Sequence, residues 1–404
     1  MIDSASDAAL AQLVRREAGI IAASLSRRLG DFDLAEEAVQ DAIVTALRVW
    51  RREGVPPNPA GWLTVAARRN AIDRLRRRAT GERAAQALAA EPTPDAAPPD
   101  GPADVRLPML FACCHPSLAP EARLALTLRA VVGLTTPQIA GAFLVPEATL
   151  AQRIVRAKRK IVQAGIPLRV PSGSELAERL DDVLTVTYLT YNAGYLAPAG
   201  APDPDLAADA VWLAELLVAQ LPDEPEAIGL LALLQLLQSR AAARFDAVGG
   251  LIPLAAQDRS SWDRGLIQAA DGLLYRAASL HRPGRYQLLA ALAACHAQAR
   301  SAGETDWLQI LTLYDMLLRF DRSPVVLLNR AIALAEVSGP AEALAEVDRD
   351  RLRDYHLLHA TRAQLLAALD RDDEAREANL RALSLTGNPA ERELLLGRIE
   401  HLGS

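Results

Sequence analysis

The sequence predicts an all-α protein: two small helical domains followed by a longer helical-repeat domain. Three observations carry that reading. Leucine and alanine recur at three- and four-residue spacing nearly throughout, alternating β-branched runs bounded by turns are almost absent, and prolines gather at two breaks. The clearer break, Glu91 to Pro108, holds Pro92, Pro94, Pro98, Pro99, Pro102 and Pro108 among alanines and aspartates. Proline removes a backbone donor and keeps the residue before it out of the α region, so this stretch reads as an extended tether. The second break, Gly165 to Ser174, contains Pro167, Pro171 and Gly173. The blocks are therefore 1–90, a proline-rich linker over 91–108, 109–165 and 175–404.

Composition bounds the function. Half of the 404 residues are apolar, enough for a sizeable core and two or three domains. Three cysteines, with Cys113 and Cys114 adjacent, make no disulfide framework and fit a reducing compartment. The start Met1-Ile2-Asp3-Ser4 has no secretory pattern, and no apolar run reaches the roughly 18 residues of a membrane span. The expected location is the cytoplasm. The net charge of -6 hides a division: up to Ser174 there are 23 Lys and Arg against 17 Asp and Glu, and beyond it 21 against 33. A basic front precedes an acidic back, and it is the local arginine stripe that sets a nucleic-acid footprint.

In the first block, Asp33 to Trp50 reads as one amphipathic helix. Asp33 is a candidate N-cap and Glu36 its capping-box partner. Leu34, Ala38, Ile43, Leu47 and Trp50 can face a core, which leaves Glu36, Glu37, Gln40 and Asp41 on an acidic face. That face is either solvated or a docking surface for a basic partner. The helix after it begins near Pro59, offers Trp62, Leu63, Ala66 and Ile72 to a core, and carries Arg68, Arg69, Arg74, Arg76, Arg77 and Arg78. Helix dipoles favour cations at a C-terminus by only about 0.3–1 kcal/mol each, too little to account for six. Phosphate contact accounts for them better, and Trp62 is either a stacking platform for a base or core.

The next block ends in a helix-turn-helix pattern. A short helix from Thr136 to Phe143, a tight Leu144-Val145-Pro146 connection and a second helix from Glu147 share a core of Ile139, Ala140, Leu150 and Ile154. Thr149, Gln152, Arg153 and Arg156 lie on or near the outward face of the second helix, followed by Lys158, Arg159 and Lys160. Such side chains can reach base edges and phosphates in a major groove. In the last block, Ala331 and Ala343 are spaced like Ala363 and Ala375, and Ala382 and Pro389 follow. Small residues at those intervals let paired helices approach closely, as in tetratricopeptide repeats.

The first two blocks together resemble an RNA polymerase sigma factor of the extracytoplasmic-function type. Asp31 to Trp50 resembles the helix that docks on the polymerase clamp, Asn58 to Arg78 the promoter-melting helix, and Leu118 to Lys160 the domain that reads the minus-thirty-five element. The resemblance implies that Glu37, Gln40 and Asp41 face polymerase. It places Trp62, Arg68, Arg69, Asn70, Asp73, Arg74, Arg76 and Arg77 near the minus-ten element. Thr149, Gln152, Arg153, Arg156 and Lys158 would meet the upstream duplex. One departure is visible: where such factors often open the recognition helix with Gly-Thr-Val-Lys-Ser-Arg, this chain has Ala148-Thr149-Leu150-Ala151-Gln152-Arg153. The missing lysine removes a contact, so no promoter sequence carries over. The last block resembles the tetratricopeptide-like extension of one subgroup, thought to regulate sigma activity in place of a membrane anti-sigma factor.

Other residues invite chemistry without supporting it. Cys113-Cys114-His115 has no second Cys/His pair at zinc spacing, and His356 and His359 lack a His-Glu-x-x-His frame. Tyr188, Tyr191, Asn192 and Tyr195 form an aromatic cluster in which Gly194 reads as a helix end. With no phosphate-binding loop, nucleophile elbow or triad, the expectation is a non-enzyme with no metal and no cofactor. Its partners would be core RNA polymerase, promoter DNA as duplex and melted strand, and an intramolecular or protein partner of the extension, without a membrane. The other readings are a stand-alone helix-turn-helix regulator and a helical-repeat scaffold with a basic end.

Overall fold

The computed structural model describes residues 21–22, 24–26, 29, 32–77, 106–143, 145–195, 205–246, 249–348 and 354–402. Among them every regular element is a helix. The β pairing among the described residues is an isolated antiparallel bridge between Phe245 and Leu251. Most of the proline-rich linker, and Arg78, lie outside the described residues. The chain falls into two compact units, Met1–Tyr195 with Pro202–Asp209, and Leu196–Ala201 with Ala210–Ser404.

The first unit contains a helical hairpin, α1 (Phe32–Glu53) and α2 (Pro59–Arg77), whose core also takes Ile21 and Leu25 from the helical residues before it. Alanine makes the seam: Ala38, Ala42 and Ala46 of α1 and Ala67 and Ala71 of α2 are fully buried, with Leu63 and Trp50 packed at the loop end. Small side chains let the two backbones approach, and burial of the flanking Leu and Trp supplies the hydrophobic gain. The cap expected of Asp33 lies outside the described side chains. Glu36, its expected partner, is committed elsewhere, as shown below.

Helices α3 (Arg106–Cys113), α4 (Pro120–Thr127), α5 (Thr136–Ala142) and α6 (Glu147–Gln163) follow. Helix α3 starts two residues before Pro108, inside the expected tether, because a proline in the first turn forfeits no intrahelical bond. After α4 the chain widens into a π-turn over Leu128–Val132 and stops at Gly133, whose φ of 85° is a left-handed conformation that glycine alone adopts without strain.

Helix α7 (Gly173–Tyr195) corrects the expected boundary. The stretch before it does not separate it from α3 and α4: Ile166 and Pro171 are buried, Arg179 donates to the Phe111 carbonyl, and Arg123 pairs with Asp182. The first unit therefore runs on through α7. Tyr191 is fully buried in this helix, 6.0 Å from the Tyr195 ring, and Gly194 allows the Leu206–Ala207 backbone to come close. The tyrosine cluster is thus packing, and α7 continues past Gly194 to Tyr195.

Helix α8 (Leu206–Gln220) leads into the second unit, whose centre is α9 (Pro225–Ser239). Ala227, Ile228, Leu230, Leu231, Leu233 and Leu234 are all buried, so α9 is apolar on every side and is enclosed by its neighbours. Helices α10 (Arg264–Ser279) and α11 (Arg285–Gln298) pack on it, and the Glu226 carboxylate accepts from the Tyr286 and Gln287 amides at the start of α11. Then come α12 (Trp307–Leu317), α13 (Pro324–Ser338), α14 (Pro340–Val347), α15 (His356–Ala367), α16 (Asp372–Leu385) and α17 (Pro389–His401). Ala331, Ala343, Ala363, Ala375 and Ala382 are all buried, the first four in one hydrophobic cluster with Leu328, Val347 and Leu366. The alanine spacing seen in the sequence is therefore the spacing of hairpin seams.

Candidate nucleic-acid interface

The antiparallel α1–α2 hairpin sets which arginines are available. Trp62 packs edge-on against Trp50, ring centroids 5.5 Å apart and planes at 66°, and is half-buried against the hairpin core. Arg68 is 9% exposed, so α2 turns it inward, whereas Arg69, Arg76 and Arg77 stand exposed. Asn70 spans the seam, its Nδ2 donating to the Ala38 carbonyl at 3.2 Å, and Asp73 is half-buried.

Arg74 joins residues that the resemblance assigns to different interfaces. Its Nη2 and Nε donate to Asp41 Oδ2 at 2.7 and 3.1 Å, and its Nη1 donates to Glu37. The Asp41 carboxylate, with Glu37 behind it, holds the guanidinium above its ordinary pKa despite partial desolvation. Two of the three carboxylate-face residues thus neutralise one of the expected DNA-facing arginines. Gln40 is half-buried between them in the α1 sequence.

The helix-turn-helix is built as expected. A capping box that the sequence reading overlooked starts α5: Thr135 Oγ1 accepts from the Gln138 amide at 3.4 Å and Gln138 Oε1 accepts from the Thr135 amide at 2.9 Å. Ile139, Ala140, Leu150 and Ile154 are buried, and the Val145 amide donates to Ala140 O at 3.0 Å to fix the turn. Along α6, Thr149, Gln152, Arg156, Arg159 and Lys160 are exposed and Arg153 is half-buried.

Lys158 is different. Its ammonium and the Arg129 guanidinium both grip the Glu36 carboxylate, and the three side chains are only 11%, 17% and 14% exposed respectively. Glu36 therefore ties α1 to the helix-turn-helix domain. Local spacing suggested a cap, because the capping pattern is short-range and partners 93 and 122 residues further on leave no trace in it.

The comparisons agree with this layout. Residues 13–80 match Sigma-70 region 2 and residues 109–161 match Sigma-70 region 4. The chain belongs to the sigma-70 family. With regions 2 and 4 in that order and an added helical part, it is a sigma factor of the extracytoplasmic-function type, a DNA-binding protein of promoter recognition and transcription initiation. Residues 179–278 of this sigma factor match a family of unknown function, DUF6596, which begins within α7. An uncharacterized protein of Rhizobium meliloti (strain 1021) is 42% identical over 392 residues, covering 94% of this chain and 93% of the relative. No solved structure matches.

The remaining candidates of the sigma factor take structural places. Cys113 and Cys114 are buried at the end of α3, where burial pushes the Cys113 thiol up and raises Cys114 to about 12, and Cys114 Sγ lies 3.5 Å from Thr127 Oγ1. His115 Nδ1 is 2.7 Å from Ser117 Oγ. His356 Nε2 faces Glu391 at 3.1 Å, one turn from His359 on α15. Among the described residues no group of three metal-ligating side chains assembles, and no helix is long and apolar enough to cross a membrane.

Proposed function

We propose that this sigma factor binds core RNA polymerase through the Glu37, Gln40 and Asp41 face of α1 and places its two front domains on the two promoter elements. Arg69, Arg76 and Arg77 of α2, with Arg74 once released, would hold the phosphates of the melted minus-ten strand, next to Asn70, Asp73, Trp62 and the inward Arg68. Thr149, Gln152, Arg153 and Arg156 of α6, with Lys158, would read the upstream duplex. Polymerase performs the chemistry, and the sigma factor adds binding energy to the open state.

The observation that carries the reading is the exposed arginine row on a region 2 hairpin, ahead of a region 4 helix that exposes Thr149, Gln152 and Arg156. Arginine offers a bidentate fork to phosphate, and polar side chains on a recognition helix offer donors and acceptors to base edges. The acidic second unit, which we read as a modulator of the basic front, could cover the DNA-facing helices or assist docking.

The test is promoter-specific transcription with purified core polymerase, comparing the full chain with a chain ending at Tyr195, since α7 packs on the region 4 helices. Initiation from a promoter in the protein's own genomic neighbourhood is the expected result. Absence of both initiation and core binding in the full chain would overturn the reading. A rise in activity on truncation assigns inhibition to the second unit, and a fall assigns assistance.

A further inference from the structure

The second unit contains a cavity of about 650 Å³ between α15, α16, α17 and the residues Asp246, Gly250 and Leu251. That volume lies in the range that takes a small organic ligand. Leu251, Ala363, Ala367 and Leu394 supply apolar wall.

Two polar groups in it lack partners. Asn379 of α16 is 2% exposed, and its Oδ1 is buried without a hydrogen bond. Buried amide oxygens are almost always satisfied, so an orphan acceptor on a residue that lines the cavity marks a place where a donor belongs, reached by a small turn of the amide. Arg398 of α17 lines the same cavity and makes no ion pair among the described residues. Burial alone pushes its guanidinium down from the ordinary value, with no carboxylate to offset it.

Other arginines of this unit have carboxylate partners. Arg330 is held by Asp315 and Glu346, Arg362 by Asp348, and Arg371 by Glu374. Arg398 has had none provided, although it cannot shed its charge. The acids near the cavity are otherwise placed: Asp246 Oδ1 accepts from the Gly250 amide at 2.7 Å, and Glu393 is exposed.

We propose that this cavity binds a small organic anion, its carboxylate or phosphate on Arg398, an N–H or O–H donor on Asn379 Oδ1, and its apolar body against the alanine and leucine wall. The guanidinium fork selects the anion, and the amide oxygen rejects an analogue with no donor. This site is independent of the sigma assignment, because it is read out by binding alone.

The experiment is titration calorimetry of the full chain with three probes: hippurate, which combines a carboxylate, an amide N–H and a phenyl ring; phenyl phosphate; and neutral hippuramide. The expected result is saturable binding of at least one anion, with hippuramide weaker by about tenfold or more. Tighter hippurate assigns a carboxylate ligand, and tighter phenyl phosphate a phosphate ligand. Arg398→Gln should weaken the anion by about tenfold, and Asn379→Leu should weaken hippurate severalfold. Gly397→Leu is a second variant that keeps the helix: a Cβ at Gly397 meets nothing within 4 Å, and the added side chain occupies cavity space. It should abolish binding while circular dichroism stays unchanged. No saturable binding of either anion at about 10 mM, equal binding of hippuramide, or binding unaltered in both Arg398→Gln and Gly397→Leu would overturn the proposal.

Discussion

His296 shows how one side chain can set a pH limit. Its ring stands edge-on to Trp307 with centroids 5.4 Å apart, and its Nδ1 is buried without a partner. Burial first, then the nearby Arg240 and Arg259, lowers its pKa from 6.5 to about 4. The folded protein thus refuses a proton that the unfolded chain accepts between those values. Stability is complete above pH 6.5 and falls as the pH drops toward 4, by up to about 3 kcal/mol. Urea unfolding at pH 7 and pH 4.5 should show this loss in the native protein and a much smaller one in His296→Gln. An equal loss in both would remove His296 as the cause. Arg74 teaches a related lesson in legibility: its charge and helix were plain in the sequence, but its partners were not. Only the antiparallel register of α1 and α2 brings positions 37 and 41 opposite position 74.

Elements were more legible than the contacts between them. The helices of the front domains follow from apolar spacing at three and four residues, which survives in a single sequence because each helix must bury one face. The helix-turn-helix core of Ile139, Ala140, Leu150 and Ile154 follows from the same rule. The π-turn at Leu128–Val132 and the packing of α7 on α3 and α4 depend on partners distant in sequence, and the proline-bearing break before α7 pointed the other way. A close helix crossing gives a test at this scale. A Cβ on Gly229 of α9 would lie 2.7 Å from the Gln287 amide nitrogen of α11, a backbone atom that cannot swing aside. Gly229→Ala should therefore destabilise the second unit by about 1–3 kcal/mol, despite alanine's better helix propensity. Chemical denaturation measures it, and a neutral or stabilising result would mean the crossing is looser than the structure has it.

At the scale of the whole molecule, charge is arranged in opposition: a basic front in sequence, an acidic remainder, and within the front a carboxylate at each joint. Glu36 is the clearest joint. Glu36→Ala leaves Arg129 and Lys158 facing each other in a poorly exposed site, at a cost of about 2–3 kcal/mol. The same change removes the carboxylate that neutralises Lys158, so binding of a short duplex should strengthen and its salt dependence should steepen by about one ion. Thermal unfolding and fluorescence anisotropy over a salt series read the two effects. A stability loss without any change in the salt slope would confine Glu36 to a structural part. The pairing of Arg74 with Glu37 and Asp41 has a different consequence. If polymerase claims those carboxylates, a guanidinium falls vacant at that moment on α2, the helix we propose holds the melted strand. Docking and strand capture would then share one set of charges, and each would strengthen the other by the same factor. Three side chains would make the protein a poor DNA binder alone and a better one in company, an ordering in time that no separate regulator has to impose.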